Sequence, residues 1–276
     1  MIEFRAVHYI YANGQEALRG ITLRIGDGEV FALAGENGAG KTTLLKHLNG
    51  LLRPTRGAVY VDGLDTRRVP VERLARNVGL VFQSPEHQLF CETVEQELAF
   101  GPRMLGLAPA EVRRSVEWAL RFFGLEELRG ASPLELSEGE KKRVAIASVA
   151  AWDPATLALD EPTIGQDALY RARLLELIRE RAARGRTTII ASHDMEFLWS
   201  LQPRLAVMAE GKILRVGPID RLLLDEALLE RAGLLRPQLL ELYLALDPRP
   251  PHPFRQPEEA RAWLLGPGGG PHGPPR

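Results

Sequence analysis

The sequence predicts an α/β fold in which one mixed core carries a helical insert, and three observations predict it. A short apolar strand, residues 30–34, runs into a glycine-rich loop and then a helix. A stretch of helical periodicity follows between residues 84 and 152. Apolar strand patterns then resume at 156–159, 187–191 and 205–209, and strands that return after an insert belong to one core rather than to two tandem domains. The chain has 276 residues and is 45% hydrophobic, which suffices for one large core and a small appendage.

Each element has a local reason. Phe4 to Tyr11 is strand-like, Asn13-Gly14 is a turn signal, and Ile21 to Ile25 alternates apolar and polar residues. Val30 to Ala34 is a short buried strand, and Thr42 to Leu52 is a helix closed by Arg53-Pro54. Ala58 to Val61 turns at Asp62-Gly63, and Val78 to Phe82 is an apolar run ending on Gln83. Within the insert, helices are expected over Thr93–Phe100, Pro109–Phe123 and Glu138–Trp152, separated by Gly101-Pro102, Gly124 and Ser132-Pro133. A helix over Ala168–Ala183 separates two of the later strands. Ile219 to Leu246 reads as two or three short amphipathic helices. Nine of the thirty residues after Leu246 are proline, so this tail is expected to be mobile apart from 257–265.

Bulk charge excludes some functions. The 35 basic and 36 acidic residues leave a formal net charge of −1, which gives no field suited to a phosphate backbone, so nucleic acid is not expected as a partner. The single cysteine, Cys91, rules out an internal disulfide. Met1 to Arg5 carries neither a basic nor an apolar leader pattern, so no secretory signal is expected. No uncharged apolar run approaches bilayer length, because charges such as Asp225, Glu230, Arg236 and Glu241 interrupt the leucine-rich stretch 222–246.

Gly35-Glu36-Asn37-Gly38-Ala39-Gly40-Lys41-Thr42-Thr43 matches the Walker A phosphate loop in full, with the strand and helix flanks that the motif requires. Its backbone amides suit a β-phosphate, Lys41 suits the β- and γ-phosphates, and the Thr42 hydroxyl suits Mg²⁺. ATP and Mg²⁺ are therefore the expected ligands. Leu157-Ala158-Leu159 ends in Asp160-Glu161. Paired acids at a strand end are commonly only solvated, but downstream of this loop they read as a Walker B pair. Asp160 then holds Mg²⁺ through water and Glu161 orients or deprotonates the attacking water. Ser137-Glu138-Gly139-Glu140 is a capping box at a helix start, which is also an anion site.

Leu136-Ser137 before that box, Lys142-Arg143-Val144-Ala145-Ile146-Ala147 after it and Asp160-Glu161 downstream together resemble the nucleotide-binding subunit of ATP-binding cassette (ABC) transporters, over residues 1–216. The resemblance implies an ABC-type P-loop NTPase fold with an antiparallel β subdomain, a helical insert at about residues 84–152, a helical extension over 217–246 and a Pro/Gly-rich tail over 247–276. It also implies ATP sandwiched between two copies, with Ser137 and Gly139 of one facing the nucleotide on the Walker residues of the other. By the same resemblance Gln83 is the glutamine that touches Mg²⁺ and the water, His193 the switch histidine, and Asp167 a dimer-interface residue. Tyr11 stands where the family stacks an aromatic on adenine, an ordinary strand tyrosine being the alternative. Glu138 and Glu140 depart from the usual Leu-Ser-Gly-Gly-Gln. A carboxylate aimed at a triphosphate in a dry site is repelled, so Glu138 is expected to project away from the nucleotide.

Residues 81–102 and the segment Pro162-Thr163-Ile164-Gly165-Gln166-Asp167 resemble the energy-coupling-factor subgroup, whose ATPases energise uptake of vitamins and of cobalt or nickel. That resemblance implies a second ATPase subunit, an integral membrane coupling protein, a substrate-binding membrane protein and a place on the cytoplasmic face of a prokaryotic membrane. Glu92, Glu95 and Glu97 then flank the groove that receives the coupling protein, a solvated acidic helix face being the alternative. Competing readings are a soluble ABC protein outside transport, the ATPase subunit of another ABC transporter type, and a subunit that binds ATP structurally. The presence of Lys41, Gln83, Glu161 and His193 together argues against the last.

Overall fold

Residues 1–265 are described in the computed structural model of the chain. Among them the strands are, in chain order, β1 (Ile2–Ile10), β2 (Glu16–Ile25), β3 (Val30–Ala34), β4 (Arg56–Val61), β5 (Leu64–Asp65), β6 (Val78–Val81), β7 (Thr156–Asp160), β8 (Thr187–Ala191), β9 (Arg204–Ala209) and β10 (Lys212–Pro218). Alternation in β1 and β2 builds one antiparallel sheet in the order β2-β1-β4-β5. Its register sets Ile2 opposite Ile25 and Phe4 opposite Leu23, so one face is apolar throughout. That face packs with Phe31, Leu33, Leu44 and Leu45 into a core beneath the second sheet.

The second sheet runs β10-β9-β3-β8-β7-β6, with β9, β3, β8, β7 and β6 parallel and β10 antiparallel at its edge. Every residue of β6, β7 and β8 is buried, the expected state of parallel strands covered on both faces. The parallel register carries functional consequences. Val81 lies beside Leu159, Asp160 beside Ala191, and Leu33 beside Ala191, so the residues leaving four strands emerge on one rim. In open α/β sheets this carboxyl rim is where ligands bind.

The helices are α1 (Lys41–Lys46), α2 (Val71–Leu74), α3 (Val94–Met104), α4 (Pro109–Phe123), α5 (Glu138–Ala150), α6 (Ala168–Ala183), α7 (Met195–Leu201), α8 (Ile219–Leu222), α9 (Glu226–Ala232), α10 (Gln238–Ala245) and α11 (Pro257–Leu265). In α4 the buried residues Val112, Val116, Ala119, Leu120 and Phe123 form a helical stripe. This stripe meets α3 and α5, and α5 is buried along most of its length between the insert and the parallel sheet. Thr93, Ser137, Asp167, Asp194 and Asp225 cap α3, α5, α6, α7 and α9, each accepting a backbone N–H three residues on.

Several details depart from the sequence expectations. The helix α3 continues through Gly101-Pro102 to Met104 instead of ending at Phe100, and α7 was not anticipated. The helix α1 ends at Lys46, not Leu52, because the amides of His47 and Leu48 bond only three residues back, and the chain turns at Asn49-Gly50. The edge strand β10 was not anticipated, since its half-buried residues give no strong period. The proline-rich tail is anchored before α11: Phe254 is buried, and the Trp199 indole donates to its carbonyl at 2.7 Å. The rest of the tail expected to be mobile, residues 266–276, lies outside the described residues.

Candidate nucleotide-binding and hydrolysis site

The end of β3 delivers the phosphate loop. Gly35 has φ of 156°, and a Cβ there would lie 2.2 Å from the Met208 carbonyl oxygen of β9, so the close strand contact requires glycine. Asn37 and Gly38 are exposed, while Lys41 is 5% exposed and its ammonium donates to the carbonyls of Gly35 (2.7 Å) and Glu36 (3.1 Å). Beside the loop is a cavity of about 360 Å³ bordered by Tyr11, Asn37, Lys41, Gln83 and Glu161. The Tyr11 hydroxyl bonds to the Thr43 hydroxyl at 2.9 Å, and its ring meets Tyr9 edge-on, just beyond the end of β1.

Asp160 ends β7 and is 1% exposed. Burial pushes its carboxyl above the usual range; the neighbouring Thr42 hydroxyl pulls it down and Glu161 pushes it further up. Its Oδ1 has no hydrogen-bond partner. A buried, unpartnered carboxylate oxygen beside a threonine hydroxyl is a fitting donor set for Mg²⁺, which takes few protein ligands when phosphates supply the rest. No group of three or more His, Cys, Asp or Glu side chains suited to a metal occurs among the described residues. Replacing Asp160 with asparagine is expected to raise the Mg²⁺ concentration for half-maximal ATPase activity by about tenfold or more. A titration of turnover against Mg²⁺ at fixed ATP tests this, and an unchanged midpoint would remove Asp160 from the ion.

Glu161 sits among donors. Its φ of 46° places a non-glycine residue in the left-handed region, a strained conformation held by its amide bond to the Ala191 carbonyl at 2.8 Å. Its Oε2 accepts from the Ser192 hydroxyl (3.2 Å) and the His193 amide (3.4 Å). Its Oε1 lies 3.0 Å from His193 Nδ1 and 3.6 Å from Lys41 Nζ. The carboxylate is 3% exposed, whereas the His193 side chain is half exposed toward the rim. Asp194, which caps α7, also pairs with Arg171.

Gln83 is exposed at the end of β6 and borders both the phosphate-loop cavity and an adjoining one of about 540 Å³ that includes Thr42 and Asp160. Behind it lies a residue that the sequence reading missed. Lys142, 2% exposed, donates to the carbonyls of Phe82 (2.9 Å), Gln83 (2.9 Å) and Asp160 (3.0 Å). Burial lowers its ammonium to about 8, against the pull of Asp160 and Glu161. The signal was present: Lys142 stands three and seven residues before the buried Ala145 and Val149, on the inward stripe of α5.

At the start of α5 the Ser137 hydroxyl donates to Glu140 Oε2 at 2.6 Å and the Ser137 amide to the same oxygen at 2.9 Å. These bonds hold the Glu140 carboxyl below its usual range. Ser137 and Gly139 do not line the phosphate-loop cavity of their own chain. Glu138 is exposed and pairs with Lys141 at 3.3 Å. The Gly139 carbonyl accepts from Gln166 at 3.1 Å, and Asp167 is exposed beside the solvent-facing apolar residues Ile164 and Leu169.

The three acids of α3 and its approach differ in availability. Glu92 is exposed, and Glu95 pairs with Arg129 at 2.9 Å. Glu97 departs from the expectation that it faces a partner: it is 3% exposed and accepts from the amides of Phe90 (3.0 Å) and Cys91 (2.9 Å). An inward carboxylate bound by two loop amides is a loop tie. Beside it a groove of about 480 Å³ includes Phe90, Phe100, Met104 and Trp152. Phe90 and Met104 are 61% and 64% exposed, an apolar patch that the acid pattern did not reveal.

Comparison with known proteins agrees with this geometry. A protein-family model described as "ABC transporter" matches residues 18–164. The energy-coupling factor transporter ATP-binding protein EcfA2 of Symbiobacterium thermophilum is 43% identical over 248 residues, covering 87% of this chain and 86% of the relative. A longer relative from Caldanaerobacter subterraneus subsp. tengcongensis is 42% identical over 242 residues, 88% of this chain, and the chain spans 42% of its length. Among solved structures, CbiO1 from Clostridium perfringens, described as part of the ABC transporter complex CbiONQ, superposes with a TM-score of 0.72 at 34% identity. That match covers 90% of this chain and 96% of CbiO1.

Proposed function

Because the chain belongs to the ABC transporter ATP-binding family and is an ATPase of that family, we propose that it powers uptake of a micronutrient, a vitamin or a cobalt or nickel ion, as the ATP-hydrolysing subunit of an energy-coupling-factor importer. One observation carries the coupling: the rim residue Gln83 adjoins the nucleotide cavity, while seven residues on, at Phe90, an exposed apolar groove opens that also includes Phe100 and Met104. No helix among the described residues is long and apolar enough to cross a membrane, so the reading needs an integral membrane coupling protein in that groove. A separate membrane protein captures the solute, and the complex sits on the cytoplasmic face of a prokaryotic membrane. Residues 1–216 are the ATPase domain in this reading, 217–246 its helical extension and 247–276 its tail.

Thr42, Asp160 and Gln83 would hold Mg²⁺, which when bound neutralises phosphate charge. Lys41 swings from its loop carbonyls to the phosphates, and Tyr11 stacks on the adenine ring. Glu161, poised by Ser192 and His193, takes the proton of the attacking water, and His193 donates to the terminal phosphate oxygens. A second ATPase subunit, identical or paralogous, closes the site. Its Ser137 and Gly139 face the phosphates, and its Asp167 lies in the shared surface with the exposed Ile164 and Leu169. One feature of the single chain supports this: Ser137 and Gly139 do not border their own phosphate-loop cavity.

Purification in mild detergent tests the proposal by identifying what remains bound. An integral membrane protein is expected, and a ribosomal partner would overturn the transport reading. Met104→Asp is expected to weaken that complex about tenfold or more, by burying an unpaired charge, while basal ATPase activity stays within about twofold. Because Met104 is exposed, the substitution should alter stability by no more than about 0.5 kcal/mol. Retention of the membrane protein by the variant would move the docking site elsewhere.

A further inference from the structure

The nucleotide chemistry uses nothing beyond β9, yet the C-terminal extension touches the phosphate loop itself. The amide of Glu36, the second loop residue, donates to the carbonyl of Ala232, the last residue of α9, at 3.2 Å. The Glu36 side chain lies across the next residue, Gly233. A Cβ on Gly233, whose φ is 60°, would fall 1.8 Å from Glu36 Oε1 and 2.1 Å from its Cγ and Cδ. Glycine at that position ends α9 in the left-handed conformation and leaves the Glu36 arm its place.

The rest of the extension is tied down independently. Leu228, Leu229 and Ala232 are buried in the main core, and α9 lies against β9, whose Met208 carbonyl abuts Gly35. Asp225 pairs with Arg215 of β10, and the Arg236 guanidinium donates to the Leu223 carbonyl at 2.9 Å. A second tie runs to the helix behind the neighbouring rim loop, which follows β8 beside β3. The Gln238 amide at the start of α10 donates to Glu196 Oε1 at 2.6 Å, and Glu196 is in the first turn of α7, directly after the His193 loop. One short helical segment therefore bonds both to the loop that carries Lys41 and to the helix that follows His193.

We propose that the C-terminal extension is a brace whose docking is thermodynamically linked to nucleotide binding, with Glu36, Gly233 and Glu196 as its positioning residues. When α9 and α10 are seated, they hold the phosphate loop and the His193 loop at a set spacing. A nucleotide that orders the loop must then also favour the seated extension, because coupling between two sites is reciprocal. The inference rests on nucleotide binding at the phosphate loop.

The test uses the full chain and ADP, which separates binding from hydrolysis. In the wild type, ADP is expected to slow hydrogen exchange at the amides of Glu36 and of residues 229–234 together. Leu229→Ala, which unseats α9, should raise the ADP dissociation constant about 5- to 20-fold. Leu229→Met, which conserves volume, should keep it within about twofold. Exchange at 229–234 that ignores ADP overturns the brace, and this readout needs no variant to fold. An unaltered ADP affinity in a Leu229→Ala chain whose α9 exchanges freely also overturns it. A wild-type chain that bound no ADP would instead remove the nucleotide site, a result distinct from either.

Discussion

Glu161→Gln is expected to lower ATP turnover by about 10²- to 10⁴-fold, the range for loss of a positioned general base, while ATP binding survives. The wild-type carboxylate is held by two donors on Oε2, Ser192 and His193, and faces Lys41 and His193 Nδ1 on Oε1. Glutamine fills the same volume and can keep its oxygen toward Ser192, so the strained backbone at φ of 46° need not move. What it loses is the capacity to take a proton from water. It also removes a negative charge facing the terminal phosphate, so ATP affinity should hold or rise, and a closed ATP-bound dimer should accumulate. Phosphate release and gel filtration with ATP measure the two effects. Turnover within tenfold of wild type would mean that another group accepts the proton.

Lys142→Met is expected to cost about 2–3 kcal/mol of stability and to lower turnover about tenfold, through displacement of Gln83 and Asp160. Three carbonyls, of Phe82, Gln83 and Asp160, lose their shared donor at once. The pH dependence has a definite sign. In the folded chain the ammonium titrates at about 8, below its ordinary 10.5, so the unfolded chain binds this proton more tightly. Between pH 8 and 10.5 the unfolded state therefore carries more protons, and the wild-type fold gains stability as pH rises through that window. From pH 7.5 to 9.5 the gain amounts to about 2 kcal/mol, and Lys142→Met lacks it. The wild-type advantage in denaturant unfolding should consequently widen with pH. A constant difference between the two proteins would show that Lys142 is not a buried, proton-shedding group.

Much of the fold was legible because its signals are local. The strand–loop–helix order from Val30 to Thr42 follows from an apolar run, three glycines and a helix start. The limits of α4 and α6 coincide with Pro109, Gly124 and the Asp167 cap, which are breakers and caps at their proper places. The end of α1 was misjudged because apolar residues continue to Leu52 while the hydrogen bonds tighten at His47. The anchoring of the tail was hidden because it depends on the Phe254 carbonyl meeting the Trp199 indole, 55 residues apart in sequence.

The sequence by itself determined which residue types stand beyond the strand ends: Lys41, Thr42, Gln83, Asp160, Glu161 and His193 each follow a strand whose pattern can be read in isolation. Only the tertiary structure decided what those residues do to one another. Parallel register puts Asp160 beside Ala191, and so puts the Glu161 carboxylate beneath Ser192 and His193. Side-chain direction was decided there too. Glu97 and Lys142 are charged residues on helices with exposed charged neighbours, yet both turn inward, because loop amides and strand-end carbonyls left open by the sheet offer partners that water would otherwise supply. A charge pattern along the chain records where charges stand, and the unpaired backbone groups of the folded core determine which of them it draws in.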